Sequence, residues 1–544
     1  MKKIAILVFF TVGFFVHVWA CTGLIAGKQA TVDGSVLVTY SADSHTLYGA
    51  LTSSPAADWP KGSMRSIVEW DTNKPLGEIE QVEHTYAVIG NMNEHQLTVV
   101  ESTWGGRPEL VDTTGIIDYG SLMQLALERA KTAREAIKVM TGLVKKYGYY
   151  SSGESFTIAD PNEAWILDLI GKGPGRRGAV WVAVRIPDDC IAGHANYPRI
   201  HKIPMDDKEN CLYSPDVISF AREMGYFDGL NKDFSFARAY SPADFGALRA
   251  CDARVWSFFC KYDSTMDNYL PYVNGESAEP FPLYVKPSRK LSVQDMKEAM
   301  RDHFEDTPFD MTQDVGAGPF KVPYRFRPMS FEVDGKSYCM ERAIATQQTG
   351  FTLVGQMRNW LPDPVGGVLW FGTDDANMTV FTPVYCCTDK VPVCYSRVDG
   401  ADYITFSWNS SFWIFNWVAN MVYPRYDLMI EDVRASQSEM ETTFNDAQEG
   451  IESAASKLYA KDPAQAKAFL TNYTNMTAQS TLDTWKRLGE FLIVKYNDGV
   501  VKRMKDGKFE RNSIGQPAGV IRPGYPKEFL EEYVKQTGDR YLVK

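Results

Sequence analysis

The stretch CTGLIAGKQATVDGSVLVTYSAD, residues 21–43, decides the fold. Its two apolar runs are separated by Asp33-Gly34, a pair typical of a tight turn, and residues 35–40 alternate in polarity. This pattern predicts an antiparallel hairpin whose first strand starts at Cys21. A strand at this point would hold Cys21 inside a sheet, where its chemistry could be fixed in place.

The residues before Cys21 are typical of a secretory signal. Two lysines precede an apolar run over residues 4–16, and Val18-Trp19-Ala20 places small residues where signal peptidase needs them. We therefore expect residues 1–20 to be a signal peptide and the mature chain to begin at Cys21. The protein would then be exported, to the periplasm, the cell surface or the medium.

A cysteine at a mature N-terminus carries two reactive groups on one residue. The Cys21 thiol is a nucleophile, and the freed α-amine is a base with an ordinary pKa of about 7.7–8.0. Such a pair can transfer acyl groups without a histidine, as N-terminal threonine does.

Two alternatives stay open for Cys21. It can be an incidental cysteine near a cleavage site, or Val18-Trp19-Ala20-Cys21 can be a lipoprotein site at which the thiol takes a lipid. Bulky Trp19 disfavours lipidation. A lipidated chain would be a surface protein that binds peptide or glycan through its aromatic side chains, because an acylated Cys21 could be neither nucleophile nor base.

Composition narrows the function classes further. The 544 residues carry a net charge of −11 and a sequence pI of about 5.3, without a basic run, which argues against nucleic acid as a partner. No apolar segment after Val16 is long enough to span a membrane. No His-Glu-x-x-His or phosphate-binding glycine pattern occurs, and His45, His84 and His95 lack metal-site spacing, so we expect neither metal nor cofactor.

The sequence predicts one large domain over residues 21–544. Residues up to about 200 predict mostly antiparallel strands, with a helix that starts at Thr132, the first residue of a capping box. Residues 204–328 read as loop-rich insertions. Residues 409–496 predict helices broken at Pro424 and Pro463. In an exported chain, candidate disulfides are Cys211 with Cys251 or Cys260, and Cys387 with Cys394.

A set of short segments, in a fixed order after Cys21, resembles the cysteine dipeptidases of the dipeptidase A type, within the N-terminal-nucleophile hydrolases. The segments are Cys21-Thr22-Gly23, residues 30–35, Ser41-Ala42-Asp43, residues 91–94, Glu101-Ser102-Thr103, residues 159–165, residues 178–183, residues 193–200 and the aromatic-rich residues 409–430.

The resemblance implies an α+β fold, an αββα four-layer sandwich with two antiparallel sheets and a helical C-terminal part. It implies hydrolysis of dipeptides through a thioester on Cys21, with the α-amine of Cys21 as general base. By the same resemblance, Asp43 hydrogen-bonds the amine and thiol region and Asn196 donates to the oxyanion. Thr103 falls where bile-salt and penicillin-amide relatives carry an asparagine near the oxyanion.

One position departs from those relatives. They place an arginine three residues before the aspartate, and this chain has Tyr40 there. Electrostatic tuning of the thiol must then come from elsewhere. Arg199 is a candidate substitute, although a surface ion pair is the simpler role for it. The departure favours the dipeptidase branch.

Overall fold

Two antiparallel sheets face each other at the centre of the protein. A computed structural model describes residues 21–544, so the predicted signal peptide, residues 1–20, lies outside the described residues. The seven-stranded sheet has the spatial order Tyr284–Val285, Ile191–His194, Gly23–Ala26, Val36–Asp43, Thr349–Met357, Val368–Thr373 and Thr382–Tyr385. The eight-stranded sheet has the order Cys211–Tyr213, Ala179–Ile186, Ala164–Gly171, Gly153–Ala159, Thr98–Trp104, Met92–Asn93, Val88–Ile89 and Ser53–Ser54.

Helices cover the outer face of each sheet. Tyr119–Arg129 and Ala133–Tyr147 pack on the eight-stranded sheet, while Ser411–Val422 and Pro463–Tyr496 pack on the seven-stranded one. The remaining α-helices of the described chain are Val217–Glu223, Phe236–Tyr240, Ala253–Cys260, Leu270–Val273, Val293–Ala299, Asp363–Gly366, Tyr426–Tyr459 and Lys527–Thr537. The order helix, sheet, sheet, helix confirms the predicted α+β class. Within residues 21–544, no helix combines the length and the apolar character that a membrane span requires.

In the described part of the chain, five small two-stranded antiparallel sheets lie outside the two central sheets. They pair Ala57–Asp58 with His84–Thr85, Met64–Val68 with Pro75–Glu80, Ser330–Val333 with Lys336–Cys339, Val501–Lys502 with Val520–Ile521, and Met504–Lys505 with Lys508–Phe509.

The hairpin predicted at Cys21 is confirmed. Gly23–Ala26 lies between Val36–Asp43 and Ile191–His194, and the Thr22 amide donates to the Ser41 carbonyl at 3.3 Å. Every residue of both hairpin strands is buried. Cys21 is therefore fixed at the start of an interior strand.

His194 joins the two sheets. Its Nδ1 lies 2.6 Å from the Ser102 hydroxyl and its Nε2 lies 2.8 Å from the Thr157 hydroxyl, both on the opposite sheet. Complete burial lowers the pKa of His194 to about 3, so the ring is neutral at working pH. With both nitrogens occupied and no solvent access, it holds the sheets together and cannot serve as a general base.

The strand Thr349–Met357 lies beside the strand that carries Asp43, and the sequence pattern did not predict it. Both of its faces are buried, so its sequence lacks the alternation that marks a half-exposed strand. The predicted breaks near Pro424 and at Pro463 are confirmed, since helices end at Val422 and begin at Pro463.

The predicted disulfides do not form, because all nine cysteines are free thiols. Cys211 lies on an edge strand of the eight-stranded sheet. Cys251 and Cys260 lie on the helical stretch 247–260, whose second half packs against the other sheet. The sandwich thus separates Cys211 from Cys251 and Cys260.

Candidate active site

Cys21 lines a cavity of about 490 Å³ between the hairpin strands and the helix Tyr119–Arg129. The size is typical of a small-molecule site, and most of the wall is aromatic or aliphatic. The Cys21 side chain is buried, with its thiol next to the Tyr40 hydroxyl at 3.7 Å. The nucleophile predicted from the sequence is therefore at a concave, mostly apolar site.

Arg254 fixes the backbone around Cys21. Its guanidinium donates to the Cys21 carbonyl at 2.8 Å and to the Thr22 hydroxyl at 2.7 Å. The other branch donates to the Ala195 carbonyl at 3.1 Å and to the Asn196 side-chain oxygen at 2.7 Å. Burial and the nearby Arg342 lower the pKa of Arg254 to about 9, which leaves it charged at neutral pH.

Asp43 lies at the other side of the nucleophile. Its carboxylate accepts hydrogen bonds from Arg342 and from the Thr349 hydroxyl, the latter at 2.6 Å, and it is almost fully buried. The Asp43 backbone N–H contributes a hydrogen bond that favours the Cys21 thiolate. The structure therefore places Asp43 beside the thiol with its charge already paired by Arg342, and its role toward the amine of Cys21 stays a prediction.

Asn196 and Thr103 lie beside each other below the cavity wall. The Asn196 amide nitrogen donates to the Thr103 carbonyl at 2.5 Å, which leaves one amide hydrogen for another acceptor. Asn196 adopts φ +55°, a left-handed conformation that asparagine tolerates well. The Thr103 hydroxyl donates to Glu154 at 2.6 Å, away from Cys21. The oxyanion roles of both residues stay predictions.

A buried pair of carboxyl groups lies behind Tyr40. The Tyr40 hydroxyl donates to Glu101 at 2.5 Å, and the Thr103 hydroxyl links Glu101 with Glu154. Burial raises the pKa of both acids, and the charge of Glu101 raises that of Glu154 further. Because the Tyr40 hydroxyl donates to Glu101 and the charge of Glu101 raises the pKa of Glu154, we assign the negative charge of the pair to Glu101 and the proton to Glu154.

These charges act on the nucleophile. Burial raises the pKa of the Cys21 thiol well above its ordinary value, and the carboxylates of Glu101 and Asp43 raise it further. An isolated thiol here would stay protonated. A base and a cation next to the sulfur are therefore needed before it can attack.

Arg199 does not tune the thiol, and the predicted surface ion pair was wrong as well. Its side chain is fully buried and pairs with buried Asp252 at 3.1 Å. The arginines near the nucleophile are Arg254 and Arg342. The sequence offered little sign of them, because neither lies in a segment that carries the resemblance. The one signal for Arg254 was its position directly before the mostly apolar run Val255-Trp256-Ser257-Phe258-Phe259.

A second cavity, of about 960 Å³, contains none of the predicted catalytic residues. In residues 21–544, no group of three or more His, Cys, Asp or Glu side chains is arranged to hold a metal ion.

Comparison with known proteins agrees with this site. Residues 20–439 match peptidase family C69. Curated relatives include a "Probable dipeptidase" of Salmonella dublin, 26% identical over 393 residues that cover 67% of this chain and 81% of the relative. "Dipeptidase A" of Lactobacillus helveticus is 24% identical, covering 72% and 80%, and "Probable dipeptidase B" of Lactococcus lactis subsp. lactis (strain IL1403) is 23% identical, covering 76% and 83%.

The fold, the cavity and these matches define the class of the protein, which is a peptidase. The chain belongs to peptidase family C69.

Proposed function

We propose that this chain is an exported dipeptidase in which Cys21, exposed as the N-terminal residue by removal of residues 1–20, hydrolyses dipeptides through a thioester. The observation that carries the proposal is the position of Cys21. It lies two residues before the interior strand Gly23–Ala26, lines the cavity, and has its carbonyl fixed by a buried arginine.

The proposed reaction uses the two groups of Cys21. The α-amine takes the thiol proton while the sulfur attacks the carbonyl carbon of the first residue, giving a tetrahedral oxyanion. The amide C–N bond breaks, the α-ammonium returns its proton to the leaving amine, and the first residue remains as a thioester. Water then attacks with the α-amine as base, and the C–S bond breaks to restore the thiol.

The cavity suits a small zwitterionic peptide. Its apolar wall can hold two side chains, and Arg397 is the basic side chain among the lining residues that the structure describes. Arg397 lies over the Tyr48 ring at 5.4 Å, and within residues 21–544 it forms no ion pair, so it can meet the substrate's carboxylate. The names of the curated relatives support the same substrate class.

Lipidation fits this position poorly. The Cys21 side chain is only 4% exposed, so a lipid on its sulfur would have to fill the cavity before reaching a membrane. Intact mass of the exported protein separates the two functions, because added acyl mass supports the surface-anchored binding protein and an unmodified cysteine supports the enzyme.

Substitution of Cys21 tests the enzyme directly. We expect Cys21→Ala to abolish dipeptide hydrolysis while the chain is still exported and cleaved. Cys211→Ala is the matched control, since Cys211 is equally buried but lies on the far edge of the other sheet. Full activity of a correctly processed Cys21→Ala protein would refute the proposal.

A further inference from the structure

The cavity has an excess of negative charge beside the nucleophile. Asp43, Asp71 and Glu101 line it, and within the described residues 21–544 only Asp43 of these three is paired with a basic side chain. Tyr119 donates to Asp71 at 2.8 Å, and Glu101 accepts hydrogen bonds from the Tyr40 hydroxyl and the Cys21 thiol, so within residues 21–544 neither carboxylate is neutralised by a basic side chain. Burying an uncompensated carboxylate is costly, so a cation that enters the cavity would be stabilised there.

The covalent geometry of a dipeptide determines where its α-ammonium group lies relative to the scissile carbonyl. The α-nitrogen and the scissile carbonyl carbon are both bonded to the same Cα, so they are about 2.5 Å apart. When the carbonyl carbon reaches the Cys21 sulfur, the ammonium group is necessarily next to that sulfur. The carboxylate that holds it must therefore adjoin the nucleophile.

Glu101 meets this requirement. Its carboxylate is one hydroxyl away from the sulfur, because Tyr40 contacts the Cys21 thiol at 3.7 Å and donates to Glu101 at 2.5 Å. The side chain is 2% exposed and is held in place by the strand Thr98–Trp104. Asp71, in contrast, is solvent-exposed and comes from the turn of the Met64–Val68 and Pro75–Glu80 ribbon.

We propose that Glu101 is the residue that binds the free α-ammonium group of the substrate, so that the enzyme selects peptides with an unblocked amino terminus. This inference rests on the proposed function, because it takes Cys21 as the nucleophile. The ammonium would also offset the negative charge that Glu101 places beside the thiol. Binding of the correct substrate would thus make the thiol easier to ionise, whereas an N-blocked peptide would leave Glu101 uncompensated.

The test compares alanyl-alanine with lactoyl-alanine, in which a hydroxyl replaces the α-amine at nearly the same size. For the unmodified enzyme we expect kcat/KM to favour alanyl-alanine by about 10²–10³-fold, the effect of leaving a buried charge unpaired. In Glu101→Gln this preference should fall to tenfold or less. Asp71→Asn is the matched comparison, since Asp71 lines the same cavity, and it should keep most of the preference.

A second readout separates recognition from misfolding. Removal of the negative charge of Glu101 should raise the thiolate fraction of Cys21, so Glu101→Gln should react faster with iodoacetamide than the unmodified enzyme at the same pH. A misfolded variant would not gain reactivity specifically at Cys21, which peptide mapping locates.

Three results would overturn the inference. Glu101→Gln could keep the full preference for alanyl-alanine. It could lose activity equally on both substrates, as expected if Glu101 serves the α-amine of Cys21 itself. Asp71→Asn could abolish the preference in its place. If Cys21→Ala is also fully active, the proposed function fails; if Cys21→Ala is inactive and the preference survives in Glu101→Gln, only the present inference fails.

Discussion

Replacing Arg254 by lysine tests whether the buried guanidinium holds the nucleophile in position. Arg254 makes five hydrogen bonds, to the carbonyls of Cys21, Ala195 and Ala250, to the Thr22 hydroxyl and to the Asn196 side chain. A lysine ammonium has three donors at a single point. At least two of these buried acceptors would therefore lose their partner.

The magnitude follows from that count. Each buried polar group left unsatisfied costs about 1–3 kcal/mol, so we expect Arg254→Lys to lower the free energy of unfolding by about 2–6 kcal/mol. The acceptors that lose a donor hold the nucleophile and the predicted oxyanion donor. A shift of about 1 Å at such groups can cost about 10²-fold in rate. We therefore expect kcat to fall about 10²-fold in the folded fraction.

Arg199→Lys is the control. Arg199 is as buried as Arg254 and pairs with Asp252, but it makes no contact with Cys21 or Asn196. The assay combines urea unfolding with steady-state hydrolysis of a dipeptide, corrected for folded enzyme. Arg199→Lys should lose stability and keep its kcat. If Arg254→Lys keeps kcat within about threefold of the unmodified enzyme, or if both variants lose kcat alike, the positioning argument is refuted.

Further predictions concern other charged and polar groups. Arg397→Gln should raise KM about three- to tenfold for a dipeptide but not for the corresponding dipeptide amide, because an exposed charge pair is weak; equal effects on both would exclude a contact with the carboxylate. Burial raises the pKa of Asp374 to about 8, so the folded state keeps a proton that the unfolded state has lost above about pH 4, and stability falls as pH rises toward 8. We expect Asp374→Asn to reduce this loss of stability by up to about 1.4 kcal/mol per pH unit, measured by urea unfolding at pH 5, 7 and 9. If the variant and the unmodified protein lose stability equally with pH, the prediction is contradicted. Thr103→Val should lower kcat less than tenfold, since the Thr103 hydroxyl donates to Glu154; a 10²-fold fall in kcat at constant KM would instead support a role at the oxyanion.

The hairpin and the proline breaks could be predicted because they depend on local signals, whereas the layered α+β class was predicted from the resemblance. The Asp33-Gly34 turn, the apolar runs around it and the proline breaks in the C-terminal helices are each encoded within a few residues. The strand Thr349–Met357 could not be predicted in this way, because burial on both faces removes the alternation of polarity.

The candidate site, too, could be predicted only in part from the sequence. Cys21 was predicted from the signal-like residues that precede it, and Asp43 was predicted from the resemblance; both lie in or beside the hairpin. Arg254 and Arg342 reach the site from segments more than 200 residues away, and only the packing of the sandwich brings them to Cys21 and Asp43. Glu101 lay in a quoted segment, but its proposed role depends on its having no cationic partner among residues 21–544, which a sequence does not reveal.

The most direct test of the account is mass spectrometry of the purified protein, rapidly quenched in acid during turnover of alanyl-alanine. We predict an N-terminal peptide that begins with unmodified Cys21, together with a fraction of the same peptide that carries one alanyl group on its sulfur. A mature chain that begins elsewhere, a lipid on Cys21, or an alanyl group on any other residue would contradict the account.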